Sequence, residues 1–152
     1  MTVVFTKETH AGETRAAMVP DQVAKLKALG AVIEVESGLG AACGHMDDDY
    51  TKAGATVRSD RVAMIQGADI LAQVRKPSPD DVALMREGAV CIALLDPFQS
   101  RDFIQTLAQR GVTAISMELV PRSTRAQKMD VLSSQASLAG YAAVITAAAQ
   151  TG

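Results

Sequence analysis

Short β-branched runs alternate with amphipathic segments along most of the chain, and this alternation is the feature that most constrains the fold. The phrases "KALGAVIEVE" (27–36) and "AQRGVTAIS" (108–116) share one order of helix, glycine and strand. Each phrase predicts a helix-to-strand turn at its glycine. Strands separated by helices are typical of βαβ units. We therefore predict an α/β fold with a doubly wound, mostly parallel sheet.

The boundaries of these elements follow from the same local signals. The clearest helix begins at Pro20, repeats apolar residues at three-residue spacing and ends at Gly30. A long alanine-rich helix is predicted over 131–150. The other helices are predicted near 46–53, 59–66, 80–87 and 100–110. The predicted strands are 2–5, 32–36, 56–58, 69–74, 89–95 and 112–116.

Length and charge limit the classes of function. A chain of 152 residues fits one domain, so we expect residues 1–152 to form a single α/β lobe. The net charge is −2, and only two tyrosines and three phenylalanines are available to stack on bases. This balance excludes the electrostatic surface that nucleic-acid binding requires. We expect no nucleic-acid partner.

The cysteines and the apolar segments indicate a reducing, aqueous compartment. Cys43 and Cys91 have no second ligand at metal-binding spacing, so we predict that both are small buried apolar residues and that no metal is bound. Met1 runs into "TVVFTKET" without a basic-then-apolar leader, which indicates a cytoplasmic protein. The apolar stretch 138–149 is shorter than the ~20 residues that span a bilayer, so we predict a packed soluble helix.

Several weaker motifs favour structural roles. The glycine-rich pattern of dinucleotide-binding sheets is absent, and "GLGAAC" (38–43) places a cysteine where the last glycine or alanine belongs, so we predict a plain turn. His10 and His45 lie in no catalytic pattern, and His45 is predicted in a loop or at a helix start. The acidic run "MDDDY" (46–50) is predicted as the first turn of a helix, not as a cation site.

Arg15 lies in the charged segment "KETHAGETRAAMVP" (7–20) and has two interpretations. Its planar guanidinium matches a carboxylate or phosphate ligand. Pairing with Glu8 or Glu13 explains it equally well, and the residues leave both interpretations open.

Long strings of this chain resemble the NAD(H)-binding component, or alpha subunit, of the proton-translocating NAD(P) transhydrogenases. The strings are "KETHAGETRAAMVPDQVAKLKALG", "YTKAGA", "ADILAQV" and "MELVPRSTRAQKMDVLSSQASLAGYAAV". The resemblance implies a flavodoxin-like or Rossmann-like lobe that supports hydride transfer between NAD(H) and NADP(H), coupled to proton translocation. The same N-terminal domain family includes alanine dehydrogenase. In that enzyme a lysine and a histidine handle pyruvate at the places held here by Arg75 and Asp96, which disfavours this alternative.

The resemblance also implies which residues meet the cofactor. In the loop "PRSTRAQKMD", Arg122, Gln127 and Asp130 would surround the nicotinamide, and Ser133 follows. Arg122 can donate to the carboxamide carbonyl while Asp130 accepts from its NH2 group. Uncharged Gln127 can bridge to a second nucleotide. A structural alternative remains open, in which Asp130 caps the next helix and Arg122 belongs to a solvated surface pair.

The partners are likewise those that the resemblance implies. NAD(H) would be bound jointly with a second, Rossmann-type lobe that is absent from residues 1–152, and NADP(H) would be bound by a partner component. A membrane component and a homodimer complete the expected assembly, which would hold this lobe at the cytoplasmic side of the inner membrane. The chain alone is expected to be inactive. Whether it is a split subunit, a shortened chain or an orphan lobe stays open. A non-catalytic assembly role for the alanine-rich helix is the main alternative.

Overall fold

The computed structural model of the protein describes residues 1–151, and six strands in it form one sheet. All neighbouring strands are parallel. The strands are β1 (Thr2–Phe5), β2 (Val32–Glu36), β3 (Thr56–Arg58), β4 (Ile70–Arg75), β5 (Val90–Leu94) and β6 (Thr113–Ser116). Their order across the sheet is β3-β2-β1-β4-β5-β6. The predicted α/β class and parallel sheet are confirmed, because this order is that of a doubly wound, Rossmann-like fold.

The helices begin and end at the signals that the sequence contains. Pro20 occupies the first turn of its helix, and the side chains of Asp60 and Ser78 cap two others. Gly30 and Gly111 adopt φ values of 83° and 67° in the predicted turns. The helices are α1 (Pro20–Ala28), α2 (Asp47–Ala53), α3 (Arg61–Gly67), α4 (Pro79–Leu84), α5 (Arg101–Gln109) and α6 (Val131–Thr151).

Helices cover the two faces of the sheet unequally. Helices α1 and α2 bury Val23 and Tyr50 against Ile33 and other side chains on one face. Helices α3, α4 and α5 bury Met64, Leu107 and their neighbours on the opposite face. The change of face follows from topology. Right-handed crossovers place helices on one side while the chain moves from β1 to β3, and on the other side while it moves from β4 to β6.

The chain divides into two compact units, Met1–Ser116 and Met117–Gly152. The first contains the sheet and α1 to α5, and the second contains a loop followed by α6. The prediction that α6 is a packed helix is wrong in this structure, because none of its described residues is buried. Within the part of the chain that the structure describes, α6 is also the one helix long and apolar enough to cross a membrane by length and composition, which alone is weak evidence.

The two cysteines lie in different environments. Cys91 is buried in the sheet as predicted, and its burial raises the pKa of its thiol to about 12. The prediction for Cys43 is wrong, because this residue is exposed. It ends the short 3-10 turn Ala41–Cys43, which lies outside the sheet, and its Sγ donates to the carbonyl of Thr14. The string 38–43 is therefore a turn, as predicted, with no phosphate-binding helix after it.

Candidate functional site

The loop that precedes α6 folds on itself through backbone hydrogen bonds. The Ala126 amide donates to the carbonyl of Ser123 at 3.0 Å, and the Met129 amide donates to Ala126 at 2.8 Å. Ala126 is 6% exposed and anchors the loop, while its neighbours point to solvent. A short 3-10 turn, Gln127–Met129, then leads directly into the helix. This turn brings Gln127 next to Asp130, whose amide donates to the Gln127 carbonyl at 3.3 Å.

Asp130 caps the first turn of α6. One carboxylate oxygen, Oδ1, accepts from the amides of Leu132 and Ser133 at 3.0 and 2.9 Å. The other, Oδ2, accepts from the Ser133 hydroxyl at 2.6 Å. The Ser133 hydrogen bond is the main cause that lowers the pKa of Asp130, with a smaller contribution from the positive charge of Arg122. Asp130 is therefore ionised at neutral pH.

The structure brings some of the predicted site residues together and leaves others apart. Asp130 and Ser133 are in direct contact, and Arg122 is close enough to act on Asp130 electrostatically. The side chains of Arg122, Gln127 and Ser133 are exposed, and that of Asp130 is half-buried. The four side chains thus lie in one unit, on or beside one turn of the loop.

The cap does not use up the carboxylate. An ionised carboxylate offers about four acceptor positions, and the cap of Asp130 occupies three of them. One acceptor position remains for an NH2 group such as that of a carboxamide. The two interpretations of Asp130 are therefore compatible, because the cap fixes the carboxylate that a ligand would meet.

A second place to consider is the switch point, the crevice at the carboxyl ends of β1 and β4, where the strand order reverses and open α/β sheets commonly bind ligands. Here the chain satisfies its own polar groups. The Gln73 amide donates to the buried Thr6 hydroxyl at 2.6 Å. The Glu8 carboxylate accepts from the backbone amides of Val74 and Arg75 at 2.6 and 3.0 Å.

Glu13 binds two guanidinium groups beside this crevice. Arg15 donates to it through Nε at 2.8 Å and Nη2 at 2.6 Å, and Arg75 donates through Nε at 3.0 Å. The Glu13 side chain is 6% exposed. The hydrogen bonds from Arg15 are the main cause that lowers the pKa of Glu13 to about 2. The ion-pair interpretation of Arg15 is therefore the one that the structure contains.

Sequence reasoning missed two of these contacts. It considered Glu13 as a partner of Arg15 but not of Arg75, which lies at the end of a different strand. It also missed Arg61, which pairs with Asp81 at 2.7 Å and with Glu36 at 2.5 Å. The only signal for either contact was the charge itself, since the parallel register brings these residues together.

The acidic run at 46–50 forms the first turn of α2, as predicted. Asp47 accepts from the Ser37 hydroxyl at 2.6 Å and the Gly38 amide at 2.7 Å. The Ser37 hydrogen bond is the main cause that lowers the pKa of Asp47. Across residues 1–151, no group of three or more histidine, cysteine, aspartate or glutamate side chains is arranged to hold a metal ion.

Comparison with known proteins identifies the family. Residues 4–139 match the family described as "Alanine dehydrogenase/PNT, N-terminal domain", and the chain belongs to it. The chain is 42% identical over 153 residues to the first of the polypeptides that make up NAD(P) transhydrogenase subunit alpha in Rhodospirillum rubrum, a match that covers 97% of this chain and 40% of that protein. The family-level resemblance deduced from the sequence is confirmed.

Solved structures give the same result. A transhydrogenase from Sinorhizobium meliloti superimposes with a TM-score of 0.93 at 46% identity, covering 97% of this chain and 44% of that one. An L-alanine dehydrogenase superimposes with a TM-score of 0.76 at 27% identity, covering 82% of this chain and 34% of that one. The transhydrogenase is thus the nearer of these two, and the chain spans less than half the length of either protein.

Replacing Asp130 separates its capping role from its charge. Asp130→Asn keeps an oxygen that can accept from the Leu132 and Ser133 amides, whereas Asp130→Ala removes the cap. We expect amide hydrogen exchange at these two positions, followed by NMR, to be faster in Asp130→Ala and close to wild type in Asp130→Asn. Equal protection in wild type and Asp130→Ala would show that the cap does not hold the turn.

Glu13 should make the stability of the folded chain dependent on acid pH. Its pKa falls from the usual 4.5 to about 2 on folding, so the unfolded chain binds more protons between these values. The stabilisation is therefore complete above about 4.5 and is lost as the pH falls towards about 2. Urea unfolding across this range should show a flatter pH dependence for Glu13→Gln. Glu87→Gln, at an exposed glutamate, is the matched control and should follow wild type.

Proposed function

We propose that this chain is the N-terminal part of an NAD(P) transhydrogenase alpha subunit and that its 122–133 loop holds the nicotinamide end of NAD(H). The observation that carries the proposal is the ionised carboxylate of Asp130, fixed by the helix cap beside Arg122 with one acceptor position left over. Family membership and 42% identity to a transhydrogenase alpha subunit support it.

The polar groups of the loop match the nicotinamide carboxamide. Arg122 donates to the carboxamide carbonyl, and Asp130 accepts from its NH2 group. Together they fix the rotation of the ring. The negative charge of Asp130 also favours the positively charged oxidised ring over the neutral reduced one. Ser133 keeps Asp130 in place through its hydroxyl.

Gln127 has a different role. Its side chain is exposed at the start of the 3-10 turn and carries both a donor and an acceptor without charge. It is therefore suited to bridge to a second nucleotide, NADP(H), bound by a partner component. In the reaction a hydride leaves C4 of NADH for C4 of NADP+, which gives NAD+ and NADPH. An uncharged bridge positions the two rings without favouring either direction electrostatically.

The rest of the dinucleotide needs another lobe. The chain has no glycine-rich motif for a pyrophosphate, and the relatives it matches are more than twice as long. We propose that a Rossmann-type second lobe binds the adenine end and the pyrophosphate, and that a membrane component couples transfer to proton movement. The lobe would then lie at the cytoplasmic face of the membrane, as a homodimer, and would be inactive alone.

Shortening Gln127 tests its role in hydride transfer. We expect Gln127→Asn to slow transfer from NADH to NADP+ by about 10- to 100-fold, because reacting atoms ~3–3.5 Å apart tolerate little displacement. Transfer is measured by stopped flow after reconstitution with the second lobe and the NADP(H)-binding component. Gln109→Asn, the same change at the exposed end of α5, should leave the rate unchanged. Wild-type turnover in Gln127→Asn would contradict the bridging role.

A second function, subunit assembly, is favoured by α6 itself. This helix of 21 residues contains no charged side chain, and none of its described residues is buried. A helix that is apolar on all sides is normally covered by protein or lipid. In this role α6 would join subunits whether or not the loop binds a nucleotide. Sedimentation of the purified chain tests it, and a monomer at every concentration would contradict it.

A further inference from the structure

The sheet has two regions that no crossover helix covers. Because the crossovers are right-handed, α1 and α2 lie over β1 to β3 on one face, and α3 to α5 lie over the other half of the opposite face. One open region is therefore on β2 and β3, and the other is on β4, β5 and β6. The two regions differ in composition, and this difference indicates what each one contacts.

The open region on β2 and β3 is polar. Arg58 and Glu34 pair across the two strands at 3.1 Å, and Thr56 beside Glu34 is exposed. Val32, which is 52% exposed, is the apolar side chain that precedes Glu34 on this face of β2. A sheet face with a cross-strand ion pair is suited to water. It needs no cover.

The open region on β4, β5 and β6 is apolar, and we call it the open apolar face. The strand register places Ile70 beside Val90, and Ile92 beside Ile115, on this side of the sheet. Ile70 and Ile92 contact the core under α1 and α2 along one edge only, and Ile115 is 42% exposed. Parallel strands are normally covered on both faces. The open apolar face consists of Ile70, Val90, Ile92, Leu94 and Ile115.

Helix α6 has the dimensions and chemistry of the missing cover. At 1.5 Å per residue its 21 residues are about 31 Å long, and a helix about 10–12 Å wide covers three strands spaced about 4.8 Å apart. Leu138, Tyr141 and Ile145 follow one side of the helix and are 63%, 71% and 53% exposed. Neither surface contains a charged side chain. Their contact therefore has no desolvation cost for ions.

We infer that the open apolar face receives α6 of a second copy of this chain, in a two-fold dimer in which each copy's helix covers the other's sheet. The inference rests on the assembly function proposed above and names its partner and its receiving surface. Two sheets packed directly on each other would bury too little, since most of this face is already half-buried and a stable interface needs about 800 Å² per partner. Exchange of helices forms the contact twice and adds the exposed surface of α6.

Single substitutions on the two surfaces test the contact by analytical ultracentrifugation of the full chain. We expect wild type to be a dimer, and Ile115→Glu and Leu138→Glu each to weaken association at least ~100-fold, because each buries an unpaired carboxylate. Val32→Glu, at the exposed strand residue of the polar region, should remain a dimer. Circular dichroism confirms that each variant is folded, and Ile115→Lys repeats the sheet test with the opposite charge.

Mixing the two variants tests reciprocity. The Leu138→Glu copy keeps an intact sheet face, and the Ile115→Glu copy keeps an intact helix, so the mixture should form a heterodimer that neither variant forms alone. If Ile115→Glu stays dimeric while Leu138→Glu dissociates, α6 assembles through another surface, and the receiving face is wrong although the assembly function stands. A wild-type monomer, or wild-type chain that floats with phospholipid vesicles through α6, would overturn the inference.

Discussion

The reversal of strand order between β1 and β4 is the constraint on which the rest of the structure depends. It sends α1 and α2 to one face of the sheet and α3 to α5 to the other, and it places the carboxyl ends of two strands side by side. The bonds of Glu8 to the end of β4, and of Glu13 to Arg75, exist only because these ends meet. The same reversal leaves one apolar region of the sheet without a helix.

The proposed site lies outside the sheet, and this separation accounts for its character. At the switch point the polar groups satisfy one another, and Arg75 is paired with Glu13. In the loop before α6, by contrast, the cap fixes Asp130 and leaves the side chains of Arg122 and Gln127 exposed. A preorganised carboxylate costs less entropy to bind than a mobile one. The helix that follows the loop therefore contributes to the site through its first turn.

Local signals predicted most of the fold, and long-range contacts accounted for what they missed. The strand bounds agree to within one residue because β-branched runs, glycine and proline mark them locally; β4, for instance, is 70–75 against a predicted 69–74. The Asp130 cap was among the predicted alternatives because its partner is three residues away. The pairing of Arg75 with Glu13 joins residues 62 positions apart, and the exposure of Cys43 depends on where its turn lies. The nicotinamide roles of Arg122, Gln127 and Asp130 remain predictions.

Titration calorimetry of residues 1–152 with NADH tests the central claim, that this chain holds only the nicotinamide half of a binding site. The loop offers about three hydrogen bonds worth roughly 0.5–3 kcal/mol each, against an association cost of at least ~4 kcal/mol. The account predicts a Kd of about a millimolar or weaker, since a millimolar Kd corresponds to only about 4 kcal/mol. Micromolar binding of NADH by the chain alone would contradict the claim and would require a pocket for the pyrophosphate within these residues.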